Sequence, residues 1–114
     1  MCQKAFGNAV ASLVTGRDVC WTKREPRRFR SSNKVRRGFC EDCGTPLTYE
    51  LDGEDTGLAI GSLDNPELAP PTEQLCVERK LSWFSTLPSL EERSEADEAE
   101  LLDGLTSHQH PDHE

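Results

Sequence analysis

Phe39-Cys40-Glu41-Asp42-Cys43-Gly44 constrains this chain more than any other stretch, because two cysteines three positions apart close a tight loop with both sulfurs on one side. Gly44 follows the second cysteine, where the backbone of such a turn enters the left-handed region that glycine adopts freely. The shape is that of a zinc knuckle, which supplies two of the four ligands of a closed structural site. The same spacing also serves thiol redox chemistry, which needs a thiol pKa depressed by a helix N-terminus or nearby positive charge. Here Glu41 and Asp42 lie between the thiols, and their charges oppose thiolate formation unless a cation is bound. That favours metal ligation, with redox use and two merely packed thiols as the alternatives.

A chain of 114 residues makes one domain at most, and a small core leaves room for a metal to supply much of the stability. No apolar run approaches the roughly 20 residues needed to span a bilayer, and residues 1–20 lack the basic, apolar and small-residue succession of a signal peptide. Five cysteines, an odd number, argue against a disulfide framework and for a reducing compartment. The expectation is a soluble, cytoplasmic protein.

Net charge is −8 and unevenly spread. Residues 1–50 hold ten Lys and Arg against five Asp and Glu, residues 51–84 two against seven, and residues 85–114 one against nine. The basic cluster Lys23, Arg24, Arg27, Arg28, Arg30, Lys34, Arg36 and Arg37 is interleaved with few aromatics, which argues against nucleic acid as a partner. A solvated rim, or a pocket attracting an anionic small molecule, fits it better.

Local patterns read as mainly β. Residues 2–14 fit a short helix or a strand equally well. Val19 to Arg30 alternate as two strands around a turn at Arg24-Glu25-Pro26, and Ser31-Ser32-Asn33 is a further turn. Val35–Phe39 enters the cysteine turn and Pro46–Leu51 leaves it, so the knuckle is the tip of a hairpin. After a polar turn at 52–55, residues 58–63 read as a strand, 64–68 as a capped helical turn before Pro70-Pro71, and 74–78 as a last short strand. Leu81, Trp83 and Phe84 are expected to seal the core, and Cys20 and Cys76 to be packed thiols. From residue 85 the chain becomes a solvated acidic tail, partly helical near 90–103, where Ser89-Leu90-Glu91-Glu92 has capping-box form. His108, His110 and His113 belong to that tail.

Four pieces taken in order carry a resemblance: Met1-Cys2-Gln3-Lys4-Ala5-Phe6-Gly7; Trp21-Thr22 with Glu25-Pro26 and Phe29-Arg30-Ser31-Ser32; Arg37-Gly38-Phe39-Cys40 with Cys43-Gly44-Thr45-Pro46-Leu47; and Gly61-Ser62-Leu63-Asp64-Asn65-Pro66. Together they resemble the glutathione-dependent formaldehyde-activating enzyme family, which also includes centromere protein V. The resemblance covers about residues 1–84, leaving 85–114 as the acidic tail.

It implies a zinc-associated β-tent of short antiparallel sheets. In that family the Cys-x-x-Cys pairs with a Cys-x-Cys from an early strand on a structural zinc, and Cys40 and Cys43 match the former. A second, reactive zinc is held by a Cys-x-Cys-x-x-Cys run, whose third cysteine Cys2 matches. The implied activity is that of a carbon–sulfur lyase, forming or cleaving the bond between a glutathione-like thiol and a small aldehyde. The other cysteines of both sets would lie before Met1, so the resemblance leads us to expect an N-terminally truncated member whose Met1 is an internal methionine and whose activity is impaired. The alternative is a non-catalytic zinc-binding or interaction module. The resemblance supplies no catalytic base and no physiological substrate.

Overall fold

A computed structural model of the chain describes residues 1–109. Its centre is one five-stranded antiparallel sheet built from β1 (Leu13–Gly16), β2 (Arg27–Arg30), β3 (Val35–Phe39), β4 (Pro46–Leu51) and β5 (Thr56–Ala59), in the spatial order β1-β5-β4-β3-β2. The protein is therefore mainly β. A short helix α1 (Cys2–Phe6) precedes the sheet, ended by Gly7 at φ 61°, whose N–H donates to the carbonyl of Lys4 while that of Asn8 donates to the carbonyl of Gln3. Residues 2–14 thus contain both of the elements their pattern allowed.

β2 to β5 follow one another as neighbours because each connection is a short polar turn. Ser32 Oγ accepts from the N–H groups of Lys34 and Val35 between β2 and β3, and Gly53, at φ 83°, lies in the turn between β4 and β5. The ladder register decides the faces, since side chains alternate across a strand. Phe29 opposes Arg37 and Arg37 opposes Tyr49, which puts these three on one face with Val35 and Leu51. Arg28 opposes Gly38, Gly38 opposes Thr48, and Arg36 opposes Glu50, which puts this polar set on the other. The register shifts between Gly38 and Phe39, where β3 approaches the cysteine turn.

The buried apolar core is small: Val35 at 4% exposure, Ala59 at 5%, and Ile60. Polar groups are buried with it. Thr48 is the most enclosed side chain at 1%, and Arg37 and Glu50 are nearly as covered.

Several expectations need correction. Of the two strands expected in 19–30 only Arg27–Arg30 forms, and the strand expected at 58–63 runs Thr56–Ala59 before a 3-10 turn at Ile60–Ser62. Residues 66–68 are a 3-10 turn with Pro66 at its start, but Asn65 contributes no side-chain cap. The strand expected at 74–78 is absent among the described residues: Cys76 takes φ 54°, which breaks an extended run, and a 3-10 turn covers Val77–Arg79. With no ladder there, Leu81 and Trp83 do not seal a core, and Trp83 is 50% exposed. Cys20 and Cys76 are exposed for the same reason, not packed.

The tail is partly helical as expected, with 3-10 turns at Phe84–Ser89 and Ala96–Glu98 and a short helix α2 (Ala99–Leu102). Ser89 donates to the carbonyl of Thr86 and builds no capping box. Among the described residues no helix is long and apolar enough to cross a membrane. His110 and His113 lie outside the described residues. The radius of gyration, 16.3 Å, exceeds the roughly 13 Å of a compact domain of this length, in keeping with a long C-terminal segment that adds little to the core.

Candidate thiol sites and cavity

The cysteine turn is held by its backbone. Cys40 N–H donates to the carbonyl of Thr45 at 2.9 Å, Gly44 N–H donates to the carbonyl of Cys40 at 2.8 Å, and Gly44 has φ 76°. Any other residue at that φ would be strained. Cys40 and Cys43 are both half-buried, and Cys43 Sγ lies 3.0 Å from Thr45 Oγ1, which donates to Gln109 Oε1 at 2.9 Å.

The carboxylates between the thiols are not left bare. Arg24 Nη1 lies 2.8 Å from Glu41, its Nη2 bonds Asp42, and Arg27 reaches Glu41 at 3.9 Å. The hydrogen bond and charge of Asp42, then the charge of Glu41, hold the Arg24 guanidinium above its ordinary pKa. Arg24 thus supplies at the turn a cation that the turn's own residues lack.

Two thiols on one rigid turn fit half of a four-ligand zinc site. The described residues do not complete it, because no group of three or more His, Cys, Asp or Glu among them could hold a metal ion. Cys2 does not join Cys40 and Cys43 in such a group. We therefore draw no chemical step through zinc.

Cys2 sits elsewhere, at the start of α1, where its sulfur accepts from Arg37 Nη2 at 3.4 Å. Arg37 is 8% exposed. Its Nε donates to Ser31 Oγ at 3.2 Å, and its guanidinium carbon stands 5.2 Å from the centre of the Tyr49 ring, a cation–π distance. Nη1 is buried with no hydrogen-bond partner. Among the described residues no carboxylate pairs with Arg37.

Beside this group lies a cavity of about 410 Å³ between α1 and the β2–β3–β4 part of the sheet, walled by Phe6, Phe29, Phe39 and Pro46 and lined also by Lys4 and Arg37. The opposite face is fully paired. Arg28 Nε lies 3.0 Å from both oxygens of Glu50, Arg28 Nη1 2.8 Å from Glu25, and Arg36 Nη2 3.4 Å from Glu50. Hydrogen bonding to Glu25 is the largest influence raising the Arg28 pKa. Thr48 Oγ1 donates to Glu50 at 2.9 Å and accepts from Gly38 N–H at 3.0 Å.

Cys40 and Cys43 share one turn as the sequence suggests, and Arg24 and Arg37, which the sequence offers only as two members of a basic cluster, take distinct places at the turn and the cavity. A signal for Arg37 was present, since it occupies the same alternating positions of β3 as Val35 and Phe39.

The fold and these sites define an antiparallel β-sheet domain that joins a two-thiol turn to a cavity lined by Arg37, whose guanidinium also bonds a third cysteine. A family model described as glutathione-dependent formaldehyde-activating enzyme matches residues 1–79, well over half of the chain. The chain belongs to that family. No curated protein and no solved structure gives a match.

Proposed function

We propose that the chain acts on adducts between a glutathione-like thiol and a small aldehyde, forming or cleaving the carbon–sulfur bond, with zinc as its metal. The observation that carries this reading is the contact of Cys2 with Arg37, a residue that lines the cavity, inside the family-matched segment. Residues 1–84 form the working domain in this reading, and 85–114 are an acidic appendage to it. Cys40 and Cys43 would supply two of the four ligands of a structural zinc, and Cys2 belongs to the reactive end of the molecule. The chain's own contribution is to place a thiol next to a cation and an apolar wall, where charge interactions are less screened than in water.

A second reading is a non-catalytic zinc-binding module. It is favoured by one observation, that Cys40 and Cys43 share one backbone-held turn while Cys2 lies apart from them beside Arg37. Equimolar formaldehyde and glutathione with the purified chain separate the two. Adduct formation faster than the spontaneous background supports the enzyme, and an unchanged rate rejects it. Metal analysis adds a second axis, with about two zinc per chain expected for the enzyme and about one for the module. Replacing Cys40 and Cys43 by serine lowers the melting temperature if they bind metal, and unchanged melting removes that assignment.

A further inference from the structure

We propose that the C-terminal tail completes the metal site of the cysteine turn, with Cys40 and Cys43 giving two thiolates to one zinc and His108 and His110 giving two imidazoles. This deepens the proposed function and rests on its assignment of Cys40 and Cys43 to zinc, not on the carbon–sulfur chemistry.

The argument starts from the ligands the turn still needs. A closed structural zinc site takes four, and two cysteines with two histidines are one of its usual sets. The carboxylates on the turn are engaged, since Glu41 and Asp42 pair with Arg24, and Cys2 meets Arg37 instead. Imidazole is the other donor suited to zinc, and the chain carries it only at His108, His110 and His113.

Position then singles out the tail. Gln109 lies 64 positions from Thr45 in sequence, yet the Thr45 hydroxyl donates to its Oε1 at 2.9 Å. The same hydroxyl lies 3.0 Å from Cys43 Sγ. The tail thus returns to the thiol pair, with a histidine on each side of the residue that makes the contact. Neighbouring Cα atoms are about 3.8 Å apart, so the long loop is already closed and His108 and His110 are held near Cys43 at high effective concentration. Ser107 Oγ accepts from Gln109 N–H at 3.2 Å and bends the chain there, so the alternation that would turn both histidines away from Gln109 on an extended strand does not apply. As the structure stands, His108 forms no metal-holding group with the two thiols, and zinc draws its ligands in as it binds.

Gln109 suits the bound state as well. Its amide can turn over to donate from Nε2 to Thr45 Oγ1, which releases the hydroxyl proton to the Cys43 thiolate. Hydrogen bonds of that kind hold the ligands of a metal in place.

The full chain without an affinity tag, loaded with one equivalent of zinc, tests the site. X-ray absorption is expected to show two sulfurs at about 2.3 Å and two nitrogens at about 2.0 Å from the metal, with the outer scattering of imidazole rings. Competition against a chromophoric chelator is expected to show zinc affinity falling at least about a hundredfold in His108→Ala/His110→Ala, more than the loss of a group that merely supports a ligand, and remaining at the parent's level in His113→Ala. A shell of four sulfurs, which two turns from two chains would give, or one of two sulfurs completed by oxygen would overturn the proposal. So would a double histidine variant that holds zinc as tightly as the parent, an equal loss in His113→Ala, or a chain that binds no zinc. The absorption measurement needs no variant, and both histidines lie outside the sheet, so misfolding does not protect the proposal. The two proposals fail separately. A shell of two sulfurs and two imidazoles without accelerated adduct formation removes only the proposed reaction, and accelerated adduct formation with zinc affinity unchanged in the double histidine variant removes only the tail ligands.

Discussion

The two faces of the β3–β4 ladder treat the same residue type in opposite ways. On one, Arg28 and Arg36 converge on Glu50, whose remaining contact is the Thr48 hydroxyl, and Gly38 is tucked beneath Pro26 and Thr48. On the other, Arg37 is enclosed with no anion among the described residues and faces a cavity. A satisfied polar cluster specifies structure, whereas an unsatisfied one next to open volume is poised for a ligand. The difference separates the half of the sheet that stabilises the fold from the half available for function.

The largest effect is expected on the paired face. Glu50→Gln leaves Arg28 and Arg36 without their shared anion and should lower stability by about 3 kcal/mol in urea unfolding, near the low end for a broken buried pair because both arginines reach solvent. Gly38→Ala comes next. A Cβ there would stand 2.3 Å from Thr48 Oγ1 and 3.1 Å from Pro26, so the ladder must shift, and a loss of about 2 kcal/mol is expected. Arg37→Met removes a charge that has no anionic partner, and stability should change by no more than about 1 kcal/mol. A loss as large as that of Glu50→Gln would erase the distinction between the faces.

The smallest effect lies outside both faces. Asp97 accepts from Ser94 N–H and Oγ, and these bonds, the backbone one foremost, depress its pKa below the usual 3.8. The ionised form is therefore the one the folded turn favours, so this support is present above pH 3.8 and is lost as pH falls through the depressed value. The amide shift of Ser94 should follow that titration while signals from the sheet stay still.

Local chemistry made part of this molecule legible. The hairpin around Cys40–Cys43 could be read from alternation on both sides of a glycine-closed turn, and the turns at 31–33 and 52–55 from their serine, asparagine and glycine content. What could not be read depends on partners distant in sequence. Leu75 and Val77 have strand-like alternation but find no ladder, and Trp83 finds no core to cover. Cys20 and Cys76 were misplaced because a cysteine's burial follows from the element around it, and neither element formed. Arg24 sits 17 positions from Glu41 and joins it only when the loop before β2 folds over the turn. Arg37 shows the limit most clearly. Its inward position was visible, but the absence of a counter-charge exists only in three dimensions.

The strand order has a consequence for time. β2 through β5 assemble by successive hairpins, each closing a short loop, whereas β1 must cross the sheet to pair Leu13 with Ala59 and Gly16 with Thr56 on the far edge. Closing a loop of that length is the slow step of such a topology. α1 lies just upstream of β1 on the same stretch of chain and forms one wall of the cavity. The last strand to arrive therefore tethers the cavity's last wall, and the ability to hold a ligand should appear at the rate of the final folding phase.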